Sequence, residues 1–457
     1  MTTQFAKEVG LLRTLARNLI SKPSPSGPIT QDFLLTEGLA RVRRQANGLV
    51  AILRPGHEAF TDLSESIIGQ YPAMERGTIF GNFETELFDF LGTTYVGRDP
   101  SSISAAEVSA LHDHVAAWFA KLASPRKIFV PCVISPWSAP RFSVGPAVFL
   151  FIEEAMQSDF YPRGNPSDIL SRDGFERMLQ LMRDAHANWL ACVPIQGCEH
   201  QRAEEIGALA VDLAIVALQL AAPALDTRTM SRLDARRGAA EKRTLSEAHG
   251  YYNAGWTKME PGLAIGTGTL ADILRKTEPL ITAVGSCVRS FASGCFRFSN
   301  LERAWCDAAY WLHEALAEPL DSIAVAKLET ALEVLLQAES APRSQTRMLT
   351  ILETFYGLKP DDPLTSGATT TAKQFARRVV RDRSRILHGT WSTLNSRLAS
   401  NRTGLENFVT TVIRRTALEL EDYALTASPE DNIDHFLAWV KRREAVRTSE
   451  ARRSEAT

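Results

Sequence analysis

Residues 372–389 read AKQFARRVVRDRSRILHG. Apolar residues recur at spacings of three and four from Phe375 through Val379 to Ile386, which predicts an amphipathic helix. Arg383 falls on the same stripe, where an apolar residue is expected. A guanidinium at such a position is costly unless it is paired or faces a cleft or an interface. This stretch therefore predicts a helix with a partnered or functional arginine.

His388 follows Arg383 by five residues, which places the two side chains about 140° apart around an ideal helix. They converge only if the helix ends near His388, which Gly389 permits, or if a second subunit completes the site. Residues 372–397 hold seven Lys and Arg against the single acid Asp382. A surface helix with a histidine near its C-terminus also explains the pattern, because the helix dipole favours cations there.

Helical periodicity of apolar residues recurs through the C-terminal third, for example over 301–316 and 322–337. Residues 359–371 are rich in Pro, Gly and Thr and are expected to form a loop. We therefore predict a bundle of about five helices over residues 296–441. Residues 442–457 have little apolar content, which predicts a disordered tail.

The N-terminal two-thirds are less regular. We predict an α+β domain over residues 1–295, with changes of character near residue 125 and over 235–250. Residues 127–134 and 144–152 are β-branched and aromatic runs, which indicates a hairpin or two strands of a small sheet. The segment that begins at Asp234 is rich in charged residues, and we expect it to form a surface loop or an exposed helix. The predicted fold class is mainly α, a helical bundle following a larger α+β domain.

Composition limits the class of function. Lys and Arg total 51 against 53 Asp and Glu, a formal net charge of −2, which argues against a histone-like protein but allows a local basic patch. Six cysteines in 457 residues do not indicate a disulfide framework, and the first helix lacks the apolar run of a signal peptide. Within the apolar stretch 206–225, Asp212 and Gln219 favour a buried core helix over a membrane span. We expect a cytoplasmic protein without membrane contact.

Other motifs indicate little. His186, Cys192, Cys198 and His200 lie close in sequence but match no standard zinc spacing. The glycines of 262–268 lack the lysine of a phosphate-binding loop. No G-x-S-x-G or H-E-x-x-H motif occurs in the chain. We therefore predict no metal site and no cofactor.

The run Arg383-Ser-Arg-Ile-Leu-His388-Gly389 resembles the signature of HEPN domains, which are helical bundles marked by an arginine followed by a histidine. The resemblance is to the group named after the ApeA defence protein. Residues 328–336 read LETALEVLL and resemble the L-x-x-A-x-E-x-L helix of that group, with Glu333 as its glutamate. The resemblance covers about 145 residues, a third of the chain.

This resemblance implies a metal-independent endoribonuclease, in which the 2′-hydroxyl of the RNA attacks the adjacent phosphate. His388 would act as general acid or base, and Arg383 would hold the phosphate. Glu333 would be a structural partner of one of the arginines. The resemblance also implies a homodimer that pairs two motifs across one cleft. Four further arginines would contact the RNA backbone: Arg377, Arg378, Arg381 and Arg385.

Proteins of the ApeA-like group are associated with bacterial defence against phage by abortive infection, with tRNA or another host RNA as the target of a toxin-like activity. RNA is therefore the expected partner, and residues 1–295 would sense a phage-derived trigger. The alternative is a non-catalytic RNA-binding or dimerising scaffold protein. An exposed, convergent pair of Arg383 and His388 would favour the enzyme, whereas burial of either in intrachain contacts would favour the scaffold.

Overall fold

The fold is mainly α with small sheets, as predicted. The computed structural model describes residues 2–23, 28–45, 48–162, 169–222, 225–234, 241–258, 262, 266–365, 367–391 and 399–455. Over these residues it contains seventeen α-helices and ten β-strands, the strands forming three sheets.

The chain divides into two compact units. The first comprises Met1–Arg126 and Ile195–Glu205, and the second comprises Lys127–Pro194 and Ile206–Thr457. The predicted boundary after residue 295 falls inside the second unit and stays a prediction.

The first unit is built from helices and a three-stranded sheet. Its helices are α1 (Thr2–Asn18), α2 (Gln31–Thr36), α3 (Arg54–Ile68), α4 (Pro72–Gly77), α5 (Phe80–Tyr95) and α6 (Ala105–Leu122). Its strands are β1 (Leu19–Lys22), β2 (Leu39–Gln45) and β3 (Gly48–Leu53), in the antiparallel order β1-β3-β2. Buried aromatic side chains, including Phe60, Phe83 and Phe88, fill the core between the helices. Burial of such large apolar surfaces is the main stabilising contribution.

The second unit contains a five-stranded sheet in the order β5-β6-β7-β4-β8. Its strands are β4 (Arg126–Val133), β5 (Phe142–Val144), β6 (Ala147–Phe151), β7 (Trp189–Ile195) and β8 (Ser231–Arg232). The runs 127–134 and 144–152 are therefore two strands of one small sheet, separated by β7, and not a hairpin with each other. Two helices lie between these strands in the chain: α7 (Ile152–Ala155) and α8 (Ile169–Asp184).

Helix α9 (His200–Ala221) confirms the buried core helix predicted within 206–225. Residues 210–220 are each at most 2% exposed. The carboxylate of Asp212 lies 2.8 Å from Nε of Arg232, and Gln219 Oε1 lies 3.0 Å from Nδ1 of His313. Both polar groups therefore have partners, as burial requires. Among the described residues, no helix combines the length and the apolar character needed to cross a membrane.

The charged segment after Asp234 differs from the expected loop or helix where the structure describes it; residues 235–240 lie outside the described residues. Strands β9 (Glu241–Ala248) and β10 (Tyr251–Lys258) form an exposed antiparallel hairpin. Its turn residues His249 and Gly250 have φ values of 56° and 78°, which a type I′ turn requires. The described side chains of both strands are exposed. A strand shows alternating apolar and polar residues when one of its faces is buried, so this hairpin lacks the pattern by which a strand is predicted.

Eight helices complete the second unit: α10 (Thr269–Lys276), α11 (Glu278–Ser293), α12 (Ser299–Ala317), α13 (Asp321–Leu335), α14 (Ala341–Tyr356), α15 (Ala372–Leu387), α16 (Ala399–Tyr423) and α17 (Ile433–Glu455). The predicted bundle corresponds to α12–α17. Helix α13 is central, because it packs against α12, α14, α15 and α16. It buries Leu328, Leu332 and Leu335, and it therefore fixes the position of α15.

The C-terminal segment is helical, whereas disorder was expected from residue 442. Helix α17 continues to Glu455. Arg443 and Arg447, one turn apart, each lie 3.0 Å from a carboxylate oxygen of Glu419 on α16. These ion pairs connect residues 443–447 of the helix to α16, a contact that the low apolar content of this segment did not indicate.

Candidate active site

Helix α15 carries the arginines of the predicted site and ends at its histidine. It begins with a capping box, in which Thr371 and Gln374 each accept a hydrogen bond from the other's backbone N–H. It ends at Leu387, with His388 as the C-cap residue and Gly389 at a φ of 68°. Glycine adopts this left-handed conformation without the penalty that a Cβ would add.

Arg383 is held by two glutamates of the central helix α13. Its Nη1 lies 2.7 Å from Oε2 of Glu333, and its Nε lies 2.9 Å from Oε2 of Glu329. The second contact is not aligned as a hydrogen bond. The other oxygen of Glu329 accepts a hydrogen bond from Ser344 Oγ at 3.4 Å. The arginine on the apolar stripe is therefore partnered within its own chain.

Burial gives Glu329 an unusual pKa. Its side chain is fully buried, whereas that of Arg383 is 28% exposed. Burial is the main reason that the pKa of Glu329 is raised to about 8; the Glu333 carboxylate raises it further, and Arg383 lowers it. Near neutral pH the raised pKa favours the protonated form of Glu329, so the cluster carries less negative charge than two ionised carboxylates would give it. Its low net charge reduces the cost of burying it.

His388 lies on a different side of α15. Its side chain is exposed and forms no hydrogen bond or ion pair with any described residue. At about 100° per residue, four arginines fall within an arc of roughly 100° that includes His388. We call this side the basic face of α15, defined by His388, Arg377, Arg378, Arg381 and Arg385.

The arginines of the basic face differ in their contacts. Arg381 lies 3.2 Å from the buried carboxylate of Asp382. The guanidinium of Arg385 lies 4.2 Å from the ring centroid of Trp391, which is a cation–π contact. Arg377 is exposed and Arg378 is half-buried. All four arginines therefore keep some exposure to solvent beside His388.

The structure thus places the predicted residues on two sides of one helix. Arg383 faces α13 and its glutamates, whereas His388 and the other four arginines form the basic face. No hydrogen bond or ion pair joins Arg383 to His388 in the part of the chain that the structure describes. Residues 392–398, which follow soon after the site, lie outside that part.

Sequence reasoning singled out Glu333 and missed Glu329. The signal was present, because residues four apart on a helix share a face. Two glutamates with that spacing on a helix of high apolar content indicate a shared cationic partner. The identity of that partner depends on how α13 packs against α15, which no local pattern specifies.

We expect Glu329 to contribute a decrease in the free energy of unfolding as the pH rises from about 4.5 towards about 8. The pKa of Glu329 is raised in the folded chain from 4.5 to about 8, so the folded state binds more protons than the unfolded state over this interval, and its stability decreases with pH. Glu329→Gln preserves the size of the side chain and removes the titration. Urea unfolding across this pH range should therefore show a smaller decrease for Glu329→Gln than for the native chain.

Glu353→Gln is the matched control for this measurement. Glu353 lies on α14, is 45% exposed and contacts Lys441 at 2.8 Å. Its variant should show the same pH dependence as the native chain. Identical slopes for the native chain and Glu329→Gln would contradict a raised pKa at Glu329.

The alternative zinc ligands do not form a metal site. Among the described residues, no group of three or more His, Cys, Asp and Glu side chains is placed to hold a metal ion. The candidate functional groups are thus the cluster of Arg383 with its glutamates and the basic face of α15. The chain matches no protein-family model, no curated protein and no solved structure.

Proposed function

We propose that the chain is a metal-independent endoribonuclease of the HEPN type, with His388 and Arg383 as its catalytic residues. The observation that supports this most directly is the basic face of α15, where an exposed histidine lies in line with four arginines. A positively charged face attracts the phosphate backbone of a nucleic acid. Histidine exchanges protons near neutral pH. Such a face would bring a phosphodiester beside a general acid or base.

The reaction needs no external nucleophile. A base takes the proton of the RNA 2′-hydroxyl as its oxygen bonds to phosphorus, and the 5′-oxygen leaves with a proton from an acid. The products are a 2′,3′-cyclic phosphate and a 5′-hydroxyl. His388 carries one of these protons, and a guanidinium offsets the charge that builds on the non-bridging oxygens.

Arg383 takes the phosphate-binding role when a phosphate competes with Glu333 for its guanidinium. Its side chain is 28% exposed, so its donors are not fully enclosed. Because burial raises the pKa of Glu329 and favours its protonated form, Arg383 faces less negative charge than two ionised carboxylates would provide. The electrostatic cost of exchanging Glu333 for a phosphate is correspondingly smaller.

We propose that two chains pair around a two-fold axis to form the site. Arg383 and His388 point about 140° apart on the helix, so one chain does not align both on a single phosphate. An isologous interface brings the same patch together twice, and each cleft would then combine the Arg383 of one chain with the His388 of the other. A homodimer is therefore part of the proposal.

A non-catalytic RNA-binding or dimerising scaffold is the second candidate. By the criterion given in the sequence analysis, the ion pairs of Arg383 with Glu329 and Glu333 and its separation from His388 within one chain favour the scaffold. The nuclease therefore requires a second chain to bring the two side chains together. The basic face serves either function, since phosphate contacts provide affinity without chemistry. Cleavage of RNA distinguishes the two.

The wider role that we propose is phage defence by abortive infection in the bacterial cytoplasm, with tRNA or another host RNA as target. Residues 1–295 would restrain the activity until a phage-derived trigger binds. This role rests on the resemblance of residues 383–389 and 328–336 to the ApeA-like group.

The deciding experiment is incubation of the full-length chain with total RNA, with and without EDTA and a lysate of phage-infected cells. We expect discrete products that end in 2′,3′-cyclic phosphate and 5′-hydroxyl, and no effect of EDTA. Light scattering of the purified chain alone should give the mass of a dimer. Loss of cleavage in EDTA would contradict the metal-independent mechanism, and RNA that is bound but never cut would favour the scaffold.

A further inference from the structure

A pocket of about 290 Å³ opens between α14, α15 and α16. Leu352, Phe375 and Leu405 are buried and line it with apolar surface. Tyr356 and Phe408 are partly exposed and pack against each other, with ring centroids 5.8 Å apart and an interplanar angle of 30°, so that together they form one aromatic side of the pocket. The pocket is therefore apolar inside and aromatic towards solvent. Its lining includes none of the residues of the Arg383 cluster.

Arg378 is the cation among the described residues that line this pocket. It is half-buried, and it forms no ion pair or hydrogen bond with another described residue. The nearby acid of the same helix, Asp382, is instead bound to Arg381 at 3.2 Å. Arg378 also belongs to the basic face of α15. An apolar, aromatic pocket is thus joined to that face by a guanidinium whose charge interacts with Asp382 but which no described residue holds by a hydrogen bond or an ion pair.

We propose that this pocket binds one nucleobase of a single-stranded RNA whose backbone lies along the basic face of α15; the inference rests on the proposed function. Aromatic side chains stack on the π-face of a base, and single-stranded RNA presents its bases unpaired. A volume near the lower limit of small-molecule pockets suits a single planar group. Arg378 binds the phosphate of the same nucleotide.

The distance along α15 between the pocket and His388 determines which nucleotide the pocket binds. Arg378 precedes His388 by ten residues, which is about 15 Å along a helix. The base in the pocket therefore belongs to a nucleotide a few positions away from the phosphate at His388. The pocket selects which phosphate is cut and takes no part in the chemistry. The positive charge at its rim favours an anionic chain over an uncharged apolar peptide.

Gly404 on α16 provides a way to fill the pocket. It lines the pocket, and a Cβ at this position would meet no atom within 4 Å. Gly404→Leu therefore extends a side chain into open space, and leucine favours a helix more than glycine does. Gly174→Leu is the matched control, because Gly174 on α8 is equally open and does not line the pocket.

Binding is measured by fluorescence anisotropy with a short labelled single-stranded RNA. All chains carry His388→Ala, which slows cleavage so that binding is measured before the RNA is cut. A second set of RNAs has one abasic nucleotide, placed at each position in turn. We expect one abasic position to weaken binding by about five- to 150-fold, the range for loss of one stacked base. Gly404→Leu should weaken binding of the complete RNA similarly and remove the effect of the abasic position, whereas Gly174→Leu should change neither.

Phe408→Leu is the second variant if circular dichroism shows that Gly404→Leu does not fold. It removes one ring from the aromatic side of the pocket and keeps an apolar side chain, and it should weaken binding in the same direction. Unchanged RNA affinity in the folded variants, without any sensitive abasic position, would overturn the nucleobase pocket. A change of oligomeric mass in Gly404→Leu with unchanged RNA affinity would assign the pocket to a protein partner and also overturn it.

The inference and the proposed function fail separately. Anisotropy reports binding before the RNA is cut, so the pocket can be refuted while the native chain still cuts RNA. Conversely, a native chain that never cuts RNA refutes the nuclease, while an abasic-sensitive position still supports a base-binding pocket on the scaffold.

Discussion

His388→Ala should cleave RNA about 10²- to 10⁴-fold more slowly than the native chain, the usual effect of removing a general acid or base. The side chain of His388 is exposed and has no hydrogen-bond partner among the described residues. Its removal should therefore leave the free energy of unfolding within about 0.5 kcal/mol of the native value. Single-turnover cleavage rates and urea unfolding measure the two quantities on the same preparations.

His435→Ala is the control for this variant. His435 lies on α17, is also exposed, and its Nδ1 lies 2.9 Å from the carboxylate of Glu430. It is outside the basic face, so its variant should cleave at the native rate. A native rate for His388→Ala would refute its catalytic assignment, and equal losses in both variants would attribute the effect to disturbance of the bundle.

Arg383→Met should abolish cleavage and also lower the free energy of unfolding by roughly 3 kcal/mol. Loss of the guanidinium leaves Glu333, 12% exposed, and the fully buried Glu329 without their cation. Removal of one partner from a buried ion pair typically costs about 3 to 5 kcal/mol, because the remaining charge is uncompensated. Urea unfolding at neutral pH measures the loss, and unchanged stability would contradict the structural importance of the pair.

A double variant separates the two roles of Arg383. Arg383→Met combined with Glu333→Met removes both charges, and apolar replacement of a buried pair is often neutral or stabilising. We expect most of the lost stability to return, while cleavage stays absent because no guanidinium binds the phosphate. A double variant that cleaves at the native rate would make Arg383 a structural residue only and would refute its place in the catalytic site.

Local patterns in the sequence were sufficient for most of the bundle. Helix α15 has the predicted bounds, Ala372–Leu387, because its start and its end both depend on neighbouring residues. The capping box at Thr371 and Gln374 begins it, and Gly389 allows the chain to leave it. The burial of α9 was equally predictable, since a helix that is apolar on nearly every side must be enclosed.

Two elements escaped the same reasoning, for different physical reasons. The hairpin of β9 and β10 buries neither face in its described residues, so its sequence has no alternation of apolar residues that would predict it. In the helical tail, Arg443 and Arg447 pair with Glu419 of another helix, and charged residues without a known partner resemble a disordered segment.

The sequence by itself predicted that the chain is mainly α, that Gly389 allows a helix to end near His388, and that Arg383 occupies a position where a guanidinium must be paired or face a cleft or an interface. All three follow from the helical repeat and from the cost of burying charge. The tertiary structure alone decided which partners Arg383 has and which side chains enclose the pocket beside Arg378. The packing of α13 against α15 sets the first, and the arrangement of α14, α15 and α16 sets the second. Both bring together residues distant in sequence that no local spacing relates.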